Sequence, residues 1–94
     1  MALKCTSRRM SGGNGHEHIV ALGWVQDGPG QSGMMSIHEM VAYIDRNGNS
    51  AVWCPDQTGG PSAWVHVNSN GVQRYVQTFA DGRWTNNLLA LPLA

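Results

Sequence analysis

Ninety-four residues suffice for one hydrophobic core and exclude a second lobe closing over a cleft, so a single domain over 1–94 without a separate linker is expected. Six basic and six acidic side chains cancel, which removes the electrostatic footprint for duplex nucleic acid and argues against an anionic membrane surface. Hydrophobic residues make up 41% and charged residues only 13%, against about 25% charged in average soluble chains, so the surface must be neutral-polar or partly covered. Met1 to Arg9 lacks the apolar run of a targeting signal and no segment reaches membrane-spanning length, so a cytoplasmic protein with no membrane partner is expected. Cys5 and Cys54 have no C-x-x-C spacing and read as buried small hydrophobes, with a disulfide or thiol-dependent role as the alternative.

Leu3 to Met10 has strand length and alternation and reads as an edge or near-edge strand. The Ser11 to Gly15 turn then joins it in a hairpin to His18–Val25, the most apolar strand candidate. Gln26 to Gly33 is polar and glycine-rich, and reads as a connection with a mobile tip leading from sheet to helix. The helix is expected over about 36–47, where Ser36 and Glu39 have the spacing of a capping box and Met35 and Met40 that of a hydrophobic staple. Ile37, Met40, Val41 and Ile44 form one apolar stripe, and Gly48 provides the stop.

Ser50 to Cys54 is β-branched and aromatic, fits a third strand, and ends at Pro55. After the turn-rich Asp56 to Pro61, Ala63, Val65 and Val67 alternate with Trp64 and His66, the clearest period-two pattern in the chain. Asn70-Gly71 suits a hairpin turn into a fifth strand over Val72 to Thr78, and Ala80 to Arg83 turns once more. The apolar tail from Trp84 to Ala94 must cross the domain core or complete a neighbouring subunit. The expected fold is α+β, ordered ββαβββ, with about five mostly antiparallel strands packed against one helix.

Chemistry-bearing residues are scattered. His16 and His18, two apart on a strand, would share a face, but two imidazoles make no metal site and none of the other His or Cys residues adds a zinc spacing, so no metal or cofactor is expected. Neither a nucleophile elbow nor a Cys-His signature occurs, so no enzyme is expected. Gly12-Gly13-Asn14-Gly15 matches no phosphate-loop pattern and leads into a strand, and turn chemistry alone explains its glycines. Arg8, Arg9, Arg74 and Arg83 together with Trp24, Trp53, Trp64 and Trp84 are a set able to grip a planar anion by pairing and stacking, although each indole also suits core packing.

The closing string, from Arg74-Tyr75-Val76-Gln77-Thr78 through Ala80-Asp81-Gly82 to Asn86-Asn87-Leu88-Leu89-Ala90-Leu91-Pro92, resembles domain-of-unknown-function family 3892. The likeness extends to His18-Ile19 entering a strand that reaches Trp24, and to the helix around Met40 to Ile44. The resemblance implies a small bacterial or phage protein with a shared architecture, and it supplies no activity or catalytic residue. Within the closing motif, Asn86 and Asn87 can bridge backbone groups where the chain leaves the sheet, or meet a ligand.

Two functional readings result. One is a small non-enzymatic binding module for a nucleotide-like or other anionic metabolite, using Arg8, Arg9, His16, His18, Trp24, Arg74, Arg83, Asn86 and Asn87. The other is a structural or protein-interaction domain that self-associates as a homo-oligomer, favoured by low charge, the exposed-strand potential of Leu3 to Met10 and the apolar Leu88 to Ala94 tail.

Overall fold

A computed structural model describes residues 2–13, 15–26, 30–57, 62–80 and 82–94. The tips of the connections expected around 27–29 and 58–61, with Asn14 and Asp81, lie outside the described residues. The chain is a small sheet-rich α+β domain with strands β1 (Leu3–Met10), β2 (Ile19–Gln26), β3 (Ser32–Ser36), β4 (Val52–Cys54), β5 (Ala63–Ser69), β6 (Arg74–Ala80) and β7 (Arg83–Thr85). Among the described residues one helix, α1 (Ile37–Asn47), and two 3-10 turns, η1 (His16–His18) and η2 (Leu88–Ala90), accompany them.

Among the described residues the sheet has seven strands in the order β3-β2-β1-β4-β5-β6-β7, which corrects the five-strand ββαβββ expectation. Ser32–Ser36, spanning the end of the expected Gln26–Gly33 connection and the expected entry to the helix, pairs antiparallel with β2, and the turn after β6 leads into a further short strand against it. The Leu3–Met10 strand is also not an edge, because it lies between β2 and β4. Its pairing with β4 is parallel, whereas the other strand pairs are antiparallel. A parallel neighbour requires a crossover, and the path from β3 through α1 supplies it.

Helix α1 begins where its cap is satisfied twice. The Glu39 amide donates to Ser36 Oγ at 3.2 Å, and the Ser36 amide donates to Glu39 Oε1 at 3.0 Å. At the other end Gly48 takes φ +92°, open to glycine at little steric cost, while its amide donates to the Ile44 carbonyl at 2.7 Å. Met40 and Ile44 are buried on the stripe between them. The helix packs on β2 and β3 from one half of the sheet and on β5 and β6 from the other, so the sheet curls around it without closing into a barrel.

Strand alternation then sorts the side chains. Leu3, Cys5, Val52, Cys54, Ala63, Val65, Val76 and Thr78 are buried on the helix side. The β5–β6 turn is set by Asn70, whose Oδ1 accepts from the Val72 and Gln73 amides, with Gly71 at φ +87°.

The tail folds back on its own domain. Leu88 and Leu91 are fully buried in the core, and the Asn87 amide group donates to the Cys54 carbonyl at 3.3 Å. Because β4 is only three residues long and ends at Pro55, the second half of β1 would lack a partner on that side. The tail fills the gap: the Arg8 amide donates to the Pro92 carbonyl at 3.0 Å, and the Ala94 amide to the Arg8 carbonyl at 2.8 Å. No helix among the described residues is long and apolar enough to cross a membrane.

Candidate functional site

The same alternation that buries Val52 and Cys54 sends Trp53 to the opposite, open face, and it does likewise for Trp64 between Ala63 and Val65. Register brings these side chains into one row. Lys4 of β1 is opposite Trp53, Trp53 is opposite Trp64, Trp64 is opposite Phe79, and Phe79 is opposite Trp84. Successive members are about 4.8 Å apart, one per strand across β1, β4, β5, β6 and β7. Trp64 and Trp84 remain 42% and 43% exposed, a large apolar surface to leave in water.

Neighbours hold the row in place. Phe79 and Trp84 stack with centroids 5.1 Å apart and planes 23° from parallel. His66, two residues beyond Trp64 on the same face, meets Phe79 edge-on at 5.2 Å and Trp84 at 6.0 Å. Burial lowers the His66 pKa below 6.5, so at neutral pH it packs as an uncharged ring. At the other end Lys4 Nζ lies 5.6 Å from the centre of the Trp53 ring. Trp53 and Trp64, with Ala2, Ser62 and Ala63, line a slot of about 280 Å³. Such an arrangement can stack one planar ring upon the indoles, offer a hydroxyl at its edge, and present an ammonium to an attached anion.

The residues singled out in the sequence do not form one cluster. Arg8 holds the tail, its Nε donating to the Leu91 carbonyl at 2.9 Å, and Arg9 is exposed on β1. His16 and His18 lie in η1, so the strand spacing that would align them on one face is absent. Burial lowers the His16 pKa against an opposing pull from Glu17, and its buried Nε2 lacks a hydrogen-bond partner among the described residues. Trp24 is opposite Cys5 on β2 and packs on the core, with its Nε1 buried and also without such a partner. Arg74 pairs with Asp45, Arg83 is opposite Ala80 on β7, and Asn86 is exposed before η2. Asn87 is the buried cap of β4.

Three of the four tryptophans do converge, joined by Lys4, His66 and Phe79, which sequence reasoning passed over as site residues. The signal for Trp64 and His66 lay in the alternation of β5. For Trp53, Phe79 and Trp84 it lay in a register that no local pattern displays.

The two cysteines sit side by side on the helix side, next in register after Leu3 opposite Val52 and Lys4 opposite Trp53. Burial pushes the Cys54 thiol up to about 12, helped by Asp56, and burial and Cys54 push Cys5 up as well. Both are protonated, unreactive thiols at neutral pH. Among the described residues, no group of three or more His, Cys, Asp or Glu side chains could hold a metal ion.

The family model for proteins of unknown function, DUF3892, matches residues 4–92. The chain belongs to the DUF3892 family. In this DUF3892 protein the matched span takes in Lys4, the aromatic row and the tail up to Pro92. No curated protein and no solved structure matches the chain.

Proposed function

We propose that this protein is a non-enzymatic binding module of the bacterial or phage cytoplasm whose open sheet face captures a planar, anionic, nucleotide-like metabolite. The observation that carries this reading is the slot lined by Trp53 and Trp64, with the Lys4 ammonium over the Trp53 ring. Stacking on an aromatic side chain contributes about 1–3 kcal/mol per base, and an ammonium beside the slot adds preference for a phosphate. The arginines first considered for the anion are less suitable, because Arg8 is engaged by the tail and Arg74 by Asp45. Calorimetric titration with nucleoside monophosphates and with cyclic and linear dinucleotides tests the proposal. Saturable heat whose affinity Trp64→Ala weakens about 5- to 150-fold supports it, and a flat response to the whole panel rejects it.

The homo-oligomer reading loses two of its supports, since β1 is interior and the tail is used within its own domain. It retains the edge strand β3, Ser32–Ser36, which carries no charge and exposes Met34 at 40%. Sedimentation equilibrium separates the two: a dimer dissociated by Met34→Lys would favour assembly, and a monomer that binds nucleotide would favour capture.

A further inference from the structure

We propose that strand β3 docks a second copy of this chain, the two β3 strands pairing antiparallel with Gly33 opposite Gly33. This pairing rests on the homo-oligomer reading, gives that assembly its register, and does not depend on nucleotide capture.

Two hydrogen bonds fix which way β3 turns its backbone. The Gln26 amide donates to the Gln31 carbonyl at 2.9 Å, and the pairs from Val25 with Ser32 to Ala21 with Ser36 follow without a bulge. Bonded and non-bonded pairs alternate along an antiparallel ladder, so Gly33 and Met35 bond to β2, while Ser32, Met34 and Ser36 turn their N–H and C=O outward. Ser36 agrees with that alternation, because its amide donates to Glu39 Oε1 at 3.0 Å. Its carbonyl, at the N-cap, accepts the first bond of α1. The amides and carbonyls of Ser32 and Met34 remain, outward-facing groups with no hydrogen-bond partner among the described residues.

The opposite edge of the sheet is protected, and this one is not. Strand β7 has three residues and carries Arg83, whereas no residue from Gly30 to Ile37 is charged. Ser32, Gly33 and Met34 are all exposed.

A second copy matches this edge group for group. With Gly33 opposite Gly33, Ser32 of each copy lies opposite Met34 of the other, and each such pair exchanges two N–H···O=C bonds. Every free amide and carbonyl of Ser32 and Met34 is then satisfied. Centring the pairing on Met34 would instead set Ser32 against the engaged Ser36 and leave the Ser32 groups unpaired. The central pair is a non-bonded one, where Cα atoms approach to about 4.5 Å, and glycine has no side chain to obstruct it. A two-fold contact brings each side chain near its own kind, so the absence of charge removes the like-charge cost. Directly opposed residues share a face, so the aromatic rows of both copies lie on the same side of one continuous sheet.

Sedimentation velocity from about 10 µM to 1 mM, the range for a contact smaller than a standard interface, tests the pairing together with amide hydrogen exchange at both concentrations. The expected result is a reversible dimer in which the Ser32 and Met34 amides slow at the high concentration, while those of Gly33 and Met35 are slow at both. Ser32→Pro and Met34→Pro each delete an outward donor that β2 does not use. Each should weaken dimerisation about 10-fold or more and leave the monomer folded. If the proline variants fail to fold, Met34→Lys carries the comparison, since it sets two ammoniums at diagonal positions across the contact and should dissociate the dimer. A monomer throughout would overturn the homo-oligomer reading and the pairing together. A dimer that persists in the folded variants, or one whose Ser32 and Met34 amides still exchange freely, would overturn the pairing alone.

Discussion

Trp64 owes its exposure to the alternation that buries its neighbours: Ala63 and Val65 face the helix, so the indole between them faces water at 42% exposure. Its two cross-strand contacts are worth about 0.2–1 kcal/mol each, so Trp64→Ala should shift the urea unfolding free energy by no more than about 2 kcal/mol. The same change should weaken nucleotide binding about 5- to 150-fold, because it removes one stacking surface. Asn87 presents the reverse case. Its buried side chain serves the Cys54 carbonyl, so Asn87→Ala should cost about 1–3 kcal/mol in urea denaturation, whereas Asn86→Ala, at an exposed site, should stay within about 0.5 kcal/mol. His16 and His66 set a pH dependence. Burial holds both below 6.5, so as pH falls through 6.5 the unfolded chain takes up protons that the folded chain refuses. Their contribution to stability is therefore intact above 6.5 and declines as pH falls towards the lower folded values. Urea midpoints should fall between pH 7.5 and 5.5, and His66→Phe should flatten that slope.

At the scale of elements, the tail contributes more than its length implies. Leu88 and Leu91 each bury a side chain worth about 1.5–3 kcal/mol, and the backbone from Pro92 to Ala94 pairs with Arg8. Removing residues 88–94 takes away a large part of a typical 5–15 kcal/mol stability, so the truncated chain should show loss of cooperative thermal unfolding by circular dichroism. The need for a home for this tail was legible in its composition, as was the helix, whose Ser36, Glu39 and Gly48 are local signals. The alternation of Ala63, Trp64, Val65 and His66 likewise marked β5. Strand β3 was not legible, because Ser-Gly-Met-Met-Ser has little intrinsic strand preference and becomes extended by pairing with β2. The interior position of β1 depends on a parallel pairing made across α1, from residues nearly fifty positions apart. His16 and His18 misled for a smaller reason: a 3-10 turn precedes the strand, and one turn of offset changes which side chains share a face.

For the whole molecule, the curled sheet separates two environments. Its helix side holds the core, the buried thiols and the tail, and its open side carries the row from Lys4 to Trp84. Each tryptophan taken singly suits a core, and only the register of four strand pairs turns three of them into a surface. The most direct measurement is NMR of the indole N–H signals during titration with a nucleoside monophosphate, the matched nucleoside and ribose phosphate. The expected result is saturable shifts of the Trp53 and Trp64 signals with the nucleotide, weaker ones with the nucleoside and none with ribose phosphate, while Trp24 stays fixed in the core. Unmoved Trp53 and Trp64 signals, or equal responses to nucleotide and ribose phosphate, would contradict capture by stacking on this face.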